Sequence, residues 1–170
     1  RQQRIEQQAM TLMRARIYII GVLTALLCGA CHNRPAAYEY RPTPLDGWEP
    51  GDTLRFQVDS LTASGTYRLN LGVRTSAMHS YPYRTLWLRV EQRWHNPETT
   101  RTDTVELSFV DSEGNFLGQG VSLYTFTQSV GRLQLRAGQS ADITVNHLMR
   151  SEMLEGVEAV GICLEAGLPR

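Results

Sequence analysis

The sequence has 170 residues, with 17 basic and 17 acidic side chains and a formal net charge of zero at pH 7. Every basic residue is an arginine, and the arginines are interspersed with acidic residues instead of forming a basic patch with aromatic side chains, which excludes a typical nucleic-acid-binding surface. The sequence has no HExxH, GxSxG or CxxC motif and no phosphate-binding glycine-rich loop, and its four histidines are widely separated. The common sequence signatures of hydrolases, metal sites and nucleotide-binding sites are therefore absent. We therefore predict no catalytic residues, no metal site, no cofactor and no small-molecule substrate.

The N-terminal part of the chain has the pattern of a secretory signal. Arg14 and Arg16 precede an apolar run over residues 17–28, and Gly29 and Ala30 stand directly before Cys31. The run is shorter than the ~20 residues that a membrane-spanning helix needs. We therefore predict cleavage before Cys31 and acylation of its thiol, which would anchor the protein to a membrane.

Two other readings of this segment stay open. The third position before Cys31 is Cys28, where a lipobox usually has leucine, and Leu27 stands one place earlier. The chain could therefore be a soluble secreted protein cut near Ala30, or it could be cut after Leu27 and acylated on Cys28.

Composition divides the chain into three parts. We expect residues 1–30 to be an over-extended start followed by the lipoprotein signal peptide, residues 31–50 to be a Pro/Tyr-rich tether and entry segment, and residues 51–170 to be the folded β domain. From Cys31 onward the formal charge is −3, from 13 arginines and 16 acidic residues. We expect the segment from Tyr38 to Trp48 to lie along the domain as an extended strand, with Trp48 covering one end of the core.

Alternating hydrophobicity predicts strand after strand in the domain. Apolar residues recur at every second position in runs at 54–58, 67–73, 85–94 and 105–109. In the run at 85–94 we predict Leu86, Leu88 and Val90 inward and Trp87 outward. The acidic, glycine-containing segment 111–115 is read as a hairpin turn in preference to a calcium loop, because it lacks the closing Glu ligand.

Further strands are predicted at 116–126, 132–136, 141–145 and 157–165. Only the segment from His147 to Leu154 has apolar residues at helical spacing, and Gly156 would end a helix there. About eight strands with short turns predict an all-β protein, an antiparallel β-sandwich of jelly-roll or immunoglobulin-like type, with one short helix near the C-terminus.

Four aromatic residues are candidate partner-binding residues. Tyr81 and Tyr83 flank Pro82 in a stiff turn between two predicted strands, and Trp87 and Trp94 belong to the strand that follows. Aromatic side chains dominate the binding energy of protein interfaces. Core packing is the competing interpretation for the tyrosines.

Several segments, which span almost the whole chain after Cys31, follow the pattern of one protein family. They include Tyr38-Glu39-Tyr40, Trp48, Leu54-Arg55-Phe56, Gly65-Thr66-Tyr67-Arg68-Leu69, Arg74, Tyr81-Pro82-Tyr83-Arg84-Thr85-Leu86, Asp103-Thr104, Leu117-Gly118-Gln119-Gly120, His147-Leu148-Met149 and the segment from Leu154 to Ile162. Together these segments resemble the GldH gliding-motility lipoproteins of Bacteroidetes. Family members more often have Asn and Leu after the Tyr-Pro-Tyr turn, where this chain has Arg84-Thr85-Leu86.

The resemblance implies a lipoprotein of the cell envelope that gliding species need for motility, associated with the machinery of type IX secretion, and it implies neither catalysis nor a cofactor. The first functional hypothesis is therefore a palmitate-bearing, periplasm-facing lipoprotein that contacts envelope motility or secretion proteins. The alternative is a carbohydrate-binding β-sandwich lipoprotein with exposed tryptophans. Because Trp87 and Trp94 differ in parity along one strand, they would not form one flat platform without a bulge.

Overall fold

The computed structural model describes residues 34–44, 46–76 and 81–167. Cys31 and the predicted signal peptide lie outside these residues. The described chain forms eight strands, β1 (Ala37–Pro42), β2 (Leu54–Val58), β3 (Gly65–Ser76), β4 (Thr85–His95), β5 (Thr99–Ser108), β6 (Leu123–Leu135), β7 (Ser140–His147) and β8 (Ala159–Ala166).

The strands form two four-stranded antiparallel sheets, with the orders β1-β8-β3-β6 and β2-β7-β4-β5. The chain therefore pairs its first strand with its last, its second with its seventh, its third with its sixth and its fourth with its fifth. This folded-over pairing is a jelly roll. The structure confirms the predicted β-sandwich and selects the jelly roll over the immunoglobulin-like order.

Alternation places the core between the two sheets. In β4 every second side chain is buried, and Leu86, Leu88 and Val90 are fully inaccessible while Trp87 points outward, as predicted. The same period buries Leu69, Leu71 and Val73 of β3 against them. These residues belong to one hydrophobic cluster that runs the length of the sandwich.

The predicted helix over His147–Leu154 is wrong. His147 instead ends β7, where it pairs with Leu88 of β4. The amide of Leu148 donates to the carbonyl of Trp87, and Leu154 forms an isolated bridge with Trp48. Leu148 is exposed and Leu154 is buried, so the apolar residues in this segment do not share the one buried face that a helix would need.

The second half of the chain differs from prediction in one more element. Residues 116–126 and 132–136 were predicted as two strands, but β6 is one strand of 13 residues whose pairing with β3 shifts between Leu69 and Asn70. Residues 116–122 form an irregular segment instead, in which Gly120 has a φ of 140°. The turn at 111–115 agrees with the hairpin interpretation, since Gly114 has a φ of 90°.

On the outer face of the first sheet, Tyr40 of β1 lies across a row of glycines. Tyr40 pairs with Gly161 of β8, which pairs in turn with Gly72 of β3. A Cβ atom added at Gly161 would lie 2.6 Å from the Tyr40 ring, and one added at Gly72 would overlap the Tyr40 hydroxyl. The Arg74 guanidinium lies over the same ring, 3.7 Å from its centre. The two glycines thus leave room for the Tyr40 ring, which packs β1 against the sheet.

The connections between consecutive strands lie at the two opposite ends of the sandwich. The β1–β2, β3–β4, β5–β6 and β7–β8 connections share one end, which we call the distal end. The start of β1 and the end of β8 lie at the opposite, proximal end, because Ala37 pairs with Leu164, and Leu164 with Leu69 near the start of β3. The described chain therefore begins at the end away from the four distal connections.

Candidate interaction surface

One half of the distal end is closed by Trp48. Its side chain is completely buried, its amide donates to the carbonyl of Leu154, and its indole Nε1 donates to the carbonyl of Asp52 over 2.8 Å. The ring meets His147 edge to face at 5.1 Å. These contacts tie the β1–β2 connection to the β7–β8 connection.

His147 is buried and fully satisfied as a neutral imidazole. Its Nε2 lies 2.9 Å from the carbonyl oxygen of Trp48 and therefore carries the proton, while its Nδ1 accepts from the amide of Met149. Burial lowers the pKa of His147, although the Trp48 carbonyl and the charge of Asp52 act in the opposite direction. The histidine is part of the packing at this end.

The other half of the distal end is aromatic. Tyr81 stacks on buried Phe109 with ring centres 4.4 Å apart, and its hydroxyl donates to the carbonyl of Thr85 over 3.0 Å. Tyr83 meets Tyr81 edge to face at 5.5 Å and is 45% exposed. Burial raises the pKa of Tyr81, so its hydroxyl stays a hydrogen-bond donor at neutral pH. Tyr81 thus anchors the turn, and Tyr83 presents a ring to solvent.

Phe116 of the β5–β6 connection completes this aromatic half. It packs edge to face against Tyr124 at 4.9 Å and against Phe126 at 5.1 Å, yet it is 52% exposed. Together with Tyr81 and Tyr83 it lines an open groove of about 440 Å³, which we call the aromatic groove. Sequence reasoning missed Phe116 because it was assigned to a strand. The signal was present in its position directly after a turn and before Gly118.

The two tryptophan candidates have different environments. Trp87 is 40% exposed on the outer face of β4 and is not one of the residues that line the aromatic groove. Trp94 was predicted as a candidate contact, and this is wrong: it is 3% exposed and its Nε1 donates to Gln92 over 3.3 Å. Side chains alternate between the two faces of a strand, and Trp94 lies six residues from the inward-facing Leu88, so it faces the core as well.

The charges at the distal end are mostly negative. Its described connections, residues 43–44, 46–53, 81–84, 109–122 and 148–158, contain only two arginines, Arg84 and Arg150, and eight acidic residues: Asp46, Glu49, Asp52, Asp111, Glu113, Glu152, Glu155 and Glu158. The formal charge of these connections is therefore −6. Most of the excess lies in the β1–β2 and β7–β8 connections, beside the half that holds the aromatic groove.

Within the described residues, no cluster of three or more His, Cys, Asp or Glu side chains is arranged to bind a metal ion. Nor do they include a helix long and apolar enough to cross a membrane.

Comparison with known proteins gives one family. Residues 36–164 match the GldH lipoprotein family, a range that includes all of the eight strands except the last two residues of β8. The chain belongs to this family. The match confirms the resemblance read from the sequence. GldH proteins are a lipoprotein family, not an enzyme family, and membership implies a membrane-anchored location in the cell envelope.

Solved structures similar to this GldH-family chain have low sequence identity. A protein from Sulfurospirillum deleyianum is 12% identical, with a TM-score of 0.45 over 78% of this chain and 99% of that one. The globular domain of zebrafish complement 1qA is 11% identical, with a TM-score of 0.40 over 81% and 99%. A xylan-binding domain from Paenibacillus barcinonensis is 9% identical, with a TM-score of 0.37 over 74% and 71%. No curated protein matches the sequence.

Proposed function

We propose that this protein is a non-catalytic lipoprotein, anchored by acylated Cys31, that faces the periplasm and acts by binding other envelope proteins. In gliding members of the Bacteroidetes, the process would be gliding motility and the associated type IX secretion machinery. Membership in the GldH lipoprotein family supports the anchor. The exposed aromatic residues support protein binding, because exposed aromatic side chains are typical of protein interfaces.

The main observation behind this proposal is that the start of β1 and the aromatic groove lie at opposite ends of the sandwich. Five residues separate Cys31 from Ala37. The six Cα–Cα steps between them span at most about 3.5 Å each, so the tether reaches about 20 Å. An anchored protein would therefore keep its proximal end near the bilayer. β3 has 12 residues, which gives a sandwich of roughly 40 Å. The aromatic groove would then open on the side farthest from the membrane, where a partner protein can reach it.

Carbohydrate binding is the second candidate, and one observation favours it. Trp87 is exposed on the outer face of a sheet, as a sugar-stacking residue would be. The platform would have only one tryptophan, however, since Trp94 is buried in the core. Protein binding would use the aromatic groove and the exposed residues around it, a larger surface than Trp87 alone, and is the function that we favour.

The anchor is tested by palmitate labelling and membrane fractionation of the native protein beside two variants. Cys31→Ser should lose both the label and the membrane association, whereas Cys163→Ser, which alters a free and half-buried thiol in β8, should keep both. Loss of the label in Cys28→Ser alone would move the anchor to Cys28. An unlabelled, soluble native protein would refute the anchor and favour the carbohydrate-binding alternative.

A further inference from the structure

We propose that the distal end binds a basic segment of a partner protein, with an apolar side chain of that segment in the aromatic groove and its cations beside the acidic connections. This inference deepens the proposed function by giving the chemistry of the partner. It rests on the apolar surface of the distal end, on its charge, and on the occupants that this charge excludes.

The apolar surface extends beyond the aromatic groove. In addition to Tyr83 and Phe116, the β5–β6 connection exposes Leu117 and Val121, the latter to 88%, and Leu123 is exposed at the start of β6. A cluster of exposed apolar residues around a concave aromatic site is typical of an interaction surface. The volume of about 440 Å³ leaves room for one or two large side chains.

The acidic residues in the other half of the distal end are available to a partner. Glu49, Glu152 and Glu155 are exposed and form no ion pair with another described residue. Asp111 has a different role, since its carboxylate accepts from Asn115 and holds the turn. Exposed carboxylates without a paired cation favour arginine or lysine in a partner, and exposed aromatic rings also accept a cation over their face.

The same charge excludes two other occupants. A second copy of this chain docked through its own distal end would bring a formal charge of −6 against another −6, and like charges in an interface oppose association. An anionic lipid surface would be repelled in the same way. Among the described residues that line the groove, the one cation is Arg84, which donates to the carbonyl of Asp111 over 3.3 Å. With Asp111 and Glu113, it gives the described connections of this half a formal charge of −1. A positively charged protein segment is the occupant that fits both halves.

The test uses the full chain with Cys31→Ser, so that neither acylation nor membrane binding affects the result. Fluorescence anisotropy would follow a short peptide in which arginine alternates with tryptophan, beside a peptide with glutamate in place of arginine. The arginine peptide should bind and the glutamate peptide should not. The triple variant Glu49→Gln/Glu152→Gln/Glu155→Gln should weaken binding about tenfold, because each exposed pair contributes modestly.

Two matched controls separate this site from general attraction. The triple variant Asp59→Asn/Glu98→Gln/Glu106→Gln removes the same charge from exposed residues outside the distal connections and should leave the affinity within about twofold of the parent. Tyr83→Ser should weaken binding at least about fivefold, and Trp87→Ser, on the sheet face, should not. Equal binding of the two peptides, no binding of either, or equal effects of the two triple variants would overturn the proposal. Failure of the anchor would show only in the palmitate experiment.

Discussion

Replacing Gly72 with alanine tests how β1 is held in the sandwich. The backbone of Gly72 does not require glycine, and the added methyl group would overlap the hydroxyl of Tyr40 and lie 2.7 Å from its Cζ atom. Tyr40 would have to leave its place over the glycine row and lose its contact with Arg74. Overpacking of this kind typically costs about 1–3 kcal/mol of unfolding free energy. We expect Gly72→Ala to be destabilising by about that amount.

The partner variant Tyr40→Ala decides whether this explanation is correct. Without the tyrosine ring the methyl group has space, and alanine in a strand is about 0.5–1 kcal/mol better than glycine. Gly72→Ala should then be neutral or slightly stabilising in the Tyr40→Ala background. The coupling free energy between the two positions should therefore be about 2 kcal/mol, which a double-mutant cycle of urea unfolding would measure.

The same strand offers a matched control. Gly65, at the start of β3, has nothing within 4 Å of an added Cβ atom, so Gly65→Ala should not be destabilising in either background. Equal costs of Gly72→Ala with and without Tyr40 would refute the reasoning, since the methyl group would then act through something other than the ring.

Two further predictions concern buried polar groups. Because burial lowers the pKa of His147 in the folded protein, the unfolded chain binds more protons at acid pH. The free energy of unfolding should therefore be constant above about pH 6.5 and fall below it, by at most about 1.4 kcal/mol per pH unit. Urea unfolding measured across this pH range would test this. Gln92 is fully buried, accepts from Trp94 and donates to Asp103 over 2.8 Å, so Gln92→Leu should cost about 1–3 kcal/mol in thermal or urea unfolding.

Each of these predictions has its own control. His147→Gln should flatten the pH dependence, and an unchanged slope in that variant would assign the effect to other groups. Gln57→Leu, on the exposed face of β2, removes only a solvent-exposed hydrogen bond to Asp142 and should change the unfolding free energy by less than about 0.5 kcal/mol. If Gln92→Leu were as mild as Gln57→Leu, the buried amide would not be needed.

The sequence predicted the fold where one local pattern decided the structure. Period-two alternation identified β3 and β4 and the inward residues of both, because one face of each strand packs on the core. The pairing of first strand with last depends on contacts far apart in sequence, so alternation alone left the jelly roll and the immunoglobulin-like order open. The helix was predicted from spacing alone, but Trp87 and Trp48 supply backbone partners near the two ends of the segment, to Leu148 and Leu154, which hold it in a non-helical path.

The candidate surface was predictable only in part. The turn residues Tyr81 and Tyr83 stood out because they flank a proline outside the alternating pattern. Phe116 and the acidic connections did not, since they come together through loops that are separate in sequence and adjacent only once the two sheets have formed. Trp94 was placed among the candidates for its residue type, although its parity in β4 already assigned it to the core.

The position of β1 has a mechanical consequence. The chain enters β1 at the proximal end, and β1 runs antiparallel to β8 through six residue pairs, from Ala37 with Leu164 to Pro42 with Ala159. If the protein is anchored through Cys31, as proposed, and a partner pulls on the distal end, the force would act along β1 and not across it. The six pairs would then bear the load together in shear, instead of opening one after another as in a peeled strand. Tyr40, seated on the glycine row, would have to slide over the sheet before β1 could move.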